Sequence, residues 1–546
     1  MSAMRAVRIK GLVYFGAVLV TGGLLSSCAG TAPRSLAEYN PRQAEASNMA
    51  LLGHVDLQAR SAYHPEIKQQ GNRWIAYVGH HGGDPKVNPM TGAMEFNGTS
   101  IIDVTDPKAP KALSHIPGQQ GGTESGGAQM VRICAGKDLP KGDKSKFYLL
   151  RSFGNSAHEI WDVTTPEKPV IVSTPVRGLR DTHKNWWECD TGIAYLISGV
   201  KGWNSRRMMQ VFDLSDPAKP VHIRDFGLVG QEPGSKKPLP DNLYQMHGAI
   251  STGVKGNRIY IGSGTNSNGV LQILDREKLL KGAKEPTAEN LLYPQVSIMY
   301  TPPYMGAHTT LPIMGVEIKD FATNKFSTRD LIAMTNEAIV NECGEARQMT
   351  YFVDITNDKA PFNLSNYQVP ESSGGFCKRG GRFGAHASHE NQPPMYAKRV
   401  MFYAWFNAGL RAVALVNEAK ALEAYFIRNG ASWQMMSALF KIRRKVTLKR
   451  RRDCGAWRPS GRPLLPDNAT RARIFRAWRT DIDARCRIFK HEHIGTDPHP
   501  AGNHDLLLIA AGQSFDRRFR IIRLQIDITS QKAALIRFVR RATQSK

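Results

Sequence analysis

Five histidines recur at comparable places ahead of aromatic-rich runs. His64 stands 13 residues before Tyr77, His183 stands 12 before Tyr195, and His247 stands 13 before Tyr260. His308 before Met334 and His386 before Tyr403 repeat the arrangement across longer insertions. Neutral imidazole is a ligand for Cu, Fe, Ni and Zn, and three or four imidazoles converging around an open coordination position form a catalytic type of site. Asp181, Glu188 and Glu390, with His389, lie close enough in the chain to fix ring tautomers from behind. The same recurrence has a structural reading: a repeated unit copies a histidine that donates to a neighbouring backbone carbonyl as faithfully as one that binds a ligand.

The elements that would bring these rings together are visible in a repeated phrase. Ile101-Ile102-Asp103-Val104-Thr105-Asp106-Pro107 returns as Ile160-Trp161-Asp162-Val163-Thr164-Thr165-Pro166, as Val211-Phe212-Asp213-Leu214-Ser215-Asp216-Pro217 and as Phe352-Val353-Asp354-Ile355-Thr356-Asn357-Asp358. Each copy reads as a strand running into an Asp and leaving through a polar turn. Ile273-Leu274-Asp275 is a further copy without its Pro, and Leu410-Arg411-Ala412-Val413 occupies the place of a sixth. Ahead of each copy lies a second apolar run, such as Trp74 to Gly79 or Ile193 to Gly199, which pairs with the phrase as a hairpin. Stacked units of this kind protect their edges by radial closure. The expected fold is therefore all-β, a β-propeller on a seven-bladed plan of which six repeats are visible. In such a ring the strand opening each blade lines the central channel, so histidines at equivalent positions converge there.

These phrases resemble the LVIVD-repeat family of bacterial exported β-propellers, over roughly residues 50–427. The resemblance implies architecture and export and carries no agreed chemistry. A propeller with a His-rich channel is also reminiscent of the selenium-binding proteins, which include methanethiol oxidases; only the propeller plan and the histidine recurrence support that comparison.

The N-terminus reads as a targeting segment. Arg5, Arg8 and Lys10 precede an apolar run from Gly11 to Leu24, and Leu25-Ser26-Ser27-Cys28 resembles a lipobox. The expected domains are a signal peptide over 1–27, a tether over 28–49 starting at lipidated Cys28, a propeller over 50–430 and an Arg-rich segment over 431–546. Lipid attachment would make the bilayer a partner, with the body facing the periplasm or the cell surface. Export also places the remaining cysteines in an oxidising compartment, where Cys134 can pair with Cys189 and Cys343 with Cys377.

The formal charge of +26 suggests nucleic acid until it is located. Residues 437–546 hold 26 Lys/Arg against 9 Asp/Glu, so most of the excess belongs to the tail. Its Arg-dense text has no sustained periodicity and reads either as a basic patch for anionic lipid or as out-of-frame sequence; nucleic acid is an unexpected partner for an exported chain. The run from Gly262 to Gly269 is a hairpin loop, not a phosphate cradle, because a strand follows it. His80-His81-Gly82-Gly83 is expected to be an exposed loop. Two functions remain open: a membrane-tethered binding scaffold taking a protein or small molecule at the channel mouth, and a metal-dependent oxidoreductase or hydrolase using the channel histidines.

Overall fold

A computed structural model describes residues 45–236, 245–265, 267–317, 328–391, 394, 396–415, 423–427 and 438–442, the last two segments as backbone only. Cys28, the signal segment and nearly all of the Arg-rich tail lie outside these residues.

The described chain is a ring of six antiparallel sheets of four consecutive strands, apart from additions to the first and last. The inner strands are Tyr63–Gln70, Val131–Ala135, Asn185–Trp187, Met246–Ser251, Ala307–Glu317 and Ala387–Ser388. The third blade shows the plan. Ile193–Ser198 pairs with its inner strand, Met208–Asp213 follows at Tyr195↔Val211 register, and Val221–Phe226 forms the outer edge. The ring closes without a seventh blade among the described residues, which corrects the seven-bladed plan. Asn391, after the sixth inner strand, donates to Glu66 of the first at 2.8 Å, and the Tyr63 and His386 rings approach to 5.6 Å. Glu45–Ser47, expected to belong to a free tether, adds a fifth strand outside Glu423–Ile427 of the last blade.

The repeated Asp has a physical role in each copy. The side chains of Asp103, Asp162, Asp213 and Asp354 accept from the backbone N–H two residues on, at 2.8–3.0 Å, and so turn the chain out of the sheet. Asp275, the copy without Pro, caps the short helix Arg276–Lys281 by accepting from Lys278 N. A base opening the partner strand meets four of these carboxylates: Arg73 with Asp103, Lys146 with Asp162, Arg258 with Asp275 and Arg329 with Asp354.

The apolar core fills the gaps between blades. Tyr195, Ile197, Met209 and Val211 of the third blade pack with Ala249, Ile259, Ile261 and Leu274 of the fourth, all buried. Gly79 lets the first two blades approach, since a Cβ there would stand 2.2 Å from the Gln129 carbonyl oxygen.

Two disulfides staple the ring. Cys134–Cys189 ties the second blade to the third, and Cys343–Cys377 joins the loop after Thr328–Asn336 to the segment leading into the sixth blade. Replacing Cys343 by Ser is expected to cost about 3 kcal/mol in chemical denaturation, because the bridge closes a loop of intermediate length. An unchanged midpoint would show that this bridge contributes nothing to stability.

Candidate metal centre

The inner strands run the same way around the channel, so their starts share one end of it. His64 and His247 are second in their strands, His308 is second in its own, His183 stands two residues before Asn185, and His386 stands immediately before Ala387. Blade two has Gln129 where blade three has His183, which is why its repeat contributes no imidazole.

The structure brings four of the five rings together. His183 and His247 lie with centroids 4.9 Å apart, His247 and His308 5.1 Å, and His308 and His386 5.0 Å. Ligand atoms of His183, His247 and His308 all fall within 4.8 Å of one another, and those of His308, Glu337 and His386 do the same. Bound to one tetrahedral ion, such atoms stand roughly 3.4 Å apart, so shifts of about 1 Å would close either set. His64 belongs to neither set; its ring packs on Tyr63 at 4.8 Å, from a backbone at φ 37°.

Burial removes the proton that would compete with a metal. His183 is pushed down to about 4 by burial and then by the Arg207 charge, and burial holds His247, His308 and His386 well below the ordinary imidazole range. At neutral pH all four rings are uncharged. The tautomer of His183 follows from its partner: Nδ1 lies 3.3 Å from the His247 carbonyl, which only accepts, so the Nε2 lone pair is available. His308 Nδ1 lies 3.0 Å from Thr309 Oγ1 and 3.4 Å from Lys184 Nζ, on the side of the ring away from Tyr63 and Nε2.

Two carboxylates complete the cluster, and neither was among the residues the repeat singled out. Glu337 follows the second strand of blade five and places its oxygens 3.9 Å from His247 Nε2, 3.8 Å from His308 Nε2 and 3.7 Å from His386 Nε2. Burial, and then the charge of Glu124, push it up to about 8, while Arg382 donates to it at 3.2 Å. Glu124 comes from the strand Thr123–Ala128, which pairs with the end of Arg73–Gly82 and hangs over the channel. Its oxygens reach His183 Nε2 at 3.7 Å and Arg207 Nη2 at 2.6 Å. Tyr63 adds a buried phenol 3.4 Å from His308 Nε2. The signal for Glu337 was positional: it follows Asn336, the end of an apolar run, at the channel end where the inner strands begin.

The four supporting residues have different surroundings. Glu390 accepts from Lys184 at 2.7 Å and pairs with Arg132; Lys184 also donates to Thr309 Oγ1 at 2.9 Å and lies 3.4 Å from His308 Nδ1. Glu390 therefore reaches the cluster through Lys184. Asp181 binds Arg206 at 2.9 Å at the mouth. Glu188 is committed to a buried pair with Arg276 at 2.6 Å and a hydrogen bond from Tyr195, remote in function from the imidazoles. His389 Nδ1 accepts from the Phe402 backbone at 3.1 Å, which makes it a strand-pairing residue. The expectation of an exposed loop at His80-His81 is corrected. Both are buried inside Arg73–Gly82, because pairing with Thr123–Ala128 extends that strand past its expected end.

No family model matches the chain, and no curated protein matches its sequence. Among solved structures it is similar to the WD40 domain of Toxoplasma gondii coronin, at 9% identity over 71% of this chain and 76% of that one, with a TM-score of 0.38. Chaetomium thermophilum Sqt1, bound to the N-terminus of the ribosomal protein L10, matches at 12% identity over 69% and 90%, with a TM-score of 0.37. A Lactobacillus plantarum protein matches at 10% identity over 67% and 81%, with a TM-score of 0.36.

Proposed function

We propose that this chain is an exported, lipid-tethered β-propeller that binds one transition-metal ion, Cu, Fe, Ni or Zn, at the mouth of its channel. The observation that carries the reading is the convergence of His183, His247 and His308, all buried, with ligand atoms within 4.8 Å of one another. Glu337 and His386 stand beside them as further ligands, and an ion held by only three of these five groups would keep a coordination position for metal-dependent oxidation or hydrolysis. The lipobox-like Leu25 to Cys28 supports a periplasmic or surface location.

Metal analysis of protein recovered from the periplasm tests this. About one ion per chain is expected, falling to a trace in a His183→Ala/His247→Ala double variant that retains the wild-type far-ultraviolet dichroism.

One observation favours a metal-free binding scaffold. Arg207, Arg382 and Lys184 each already face a carboxyl group at 2.6–3.2 Å, so these cationic side chains have partners without an ion. A scaffold of this kind would take its protein or small-molecule partner at the channel mouth. Stoichiometric metal would exclude it, and protein that stays empty after incubation with each of the four metals would establish it.

A further inference from the structure

We infer that the Cys343–Cys377 disulfide positions Glu337 and His386 for the ion, so that the chain reaches full metal affinity only once this bridge has closed; this rests on the metal reading above. The two residues arrive on segments that pair outside the regular strands. Ala338 N donates to the Ala385 carbonyl and Glu342 N to the Gly381 carbonyl, each at 2.8 Å, and Asn341 pairs antiparallel with Arg382. All three pairs belong to one register, and one step further along it Glu337 stands opposite His386. There a Glu337 carboxyl oxygen lies 3.7 Å from His386 Nε2. Gly384 lets the two segments run this close, since a Cβ at that position would stand 2.8 Å from the Ala338 Cβ.

The disulfide closes the other end of this ladder. Glu342 and Cys343 both hold left-handed backbones, at φ 54° and 63°, a conformation unfavourable for residues with a Cβ. On the facing side Asn407 donates to the Phe376 and Gly380 carbonyls, at 2.9 and 3.1 Å, and so fixes the Cys377 segment to the sixth blade. The bridge extends that anchorage to the loop carrying Glu337 and holds its turn against the preference of its own residues. With the bridge open, hydrogen bonds alone keep Glu337 opposite His386. Both cysteines are only partly buried, within reach of thiol exchange. Closure takes two electrons and two protons from their thiols, and a disulfide oxidant leaves as its dithiol. An oxidising compartment therefore completes the site, whereas a reducing one leaves the ion with His183, His247 and His308 as its firmly placed set.

The test measures affinity for each of Cu²⁺, Fe²⁺, Ni²⁺ and Zn²⁺ by competition against a chromophoric chelator at fixed pH. Cys343→Ser/Cys377→Ser opens the bridge without leaving thiols that would bind metal themselves. It should weaken binding by about 10- to 100-fold, the usual loss when the support behind metal ligands is removed. Cys134→Ser/Cys189→Ser is the control, because that bridge joins blades two and three towards the far ends of their inner strands, and affinity should be unchanged. In Glu337→Ala/His386→Ala protein, which keeps the first ligand set whole, opening the Cys343–Cys377 bridge should cost nothing further. An equal loss in that background, or none in the otherwise wild-type chain, overturns the inference and leaves the metal reading intact. Wild-type protein that takes up none of the four metals overturns both. Should the serine pair at 343 and 377 fail to fold, the control variant is reduced with a phosphine, which becomes its oxide while water supplies the oxygen and the two thiol protons. It is then carbamidomethylated and desalted before metal is added. The same loss is expected there, and full affinity after modification overturns the inference.

Discussion

Replacing His308 by alanine is expected to lower metal affinity by about 10²–10³-fold. A structural zinc site is worth about 10–16 kcal/mol, so one of four ligands accounts for roughly 3–4 kcal/mol, and each 1.4 kcal/mol is tenfold. His308 is chosen because it belongs to both ligand sets, with His183 and His247 on one side and with Glu337 and His386 on the other. Removing it leaves neither set with three members, whereas losing His386 leaves the first set whole. His64→Ala is the matched control. It carries the same imidazole from the same repeat position, but its ring lies in neither set, and its affinity should remain within about threefold of wild type by the scale above. Competition against a chromophoric chelator measures both. Equal losses in the two variants, or none in either, would sink the ligand assignment.

That contrast between His64 and His308 marks how far the sequence could be read. The repeat of strand, Asp and turn identified the third strand of each blade, because Asp103, Asp162, Asp213 and Asp354 must all do the same local work of accepting the N–H two residues on. Local chemistry repeated in register is legible. The blade count was less so, since it depends on how the ring closes between Asn391 and Glu66, residues 325 apart in the chain. Four of five histidines converge because an inner strand has only one end at the mouth. The fifth, His64, falls outside both ligand sets, its ring packed on Tyr63. Glu124 and Glu337 escaped notice for a different reason. They enter from a paired insertion and from the residue after a strand, places where the repeat imposes no residue type. Their partners Arg207 and Arg382 were equally silent, since a buried guanidinium is intelligible only beside the carboxylate that it faces.

The strongest demand on stability lies just beneath the imidazoles. Glu390, Lys184 and Arg132 are all buried, and each is tolerable there only because the others are present. Burial alone would raise the Glu390 carboxyl, but the Lys184 and Arg132 charges outweigh burial and hold it below the usual glutamate range. A carboxyl so depressed contributes stability that is complete above its unfolded value, about 4.3, and is lost as pH falls through its folded value. Glu390→Gln keeps the shape of the side chain and removes the charge, taking away the carboxylate that Lys184 pairs with and leaving Arg132 with Glu66. The expected loss is about 3–5 kcal/mol at neutral pH by chemical denaturation, with a flatter decline below pH 4 than in wild type. Combining it with Lys184→Met removes the stranded ammonium. The double variant should therefore be more stable than the sum of the single losses by about 2 kcal/mol, within the range found for contacting residues. Should Glu390→Gln unfold within about 0.5 kcal/mol of wild type, the size of an ordinary surface substitution, these three groups cannot all be charged in the folded protein. In that case Lys184 is neutral, and Glu390 is held by Arg132 as an ion pair and by Lys184 only as a hydrogen-bond donor.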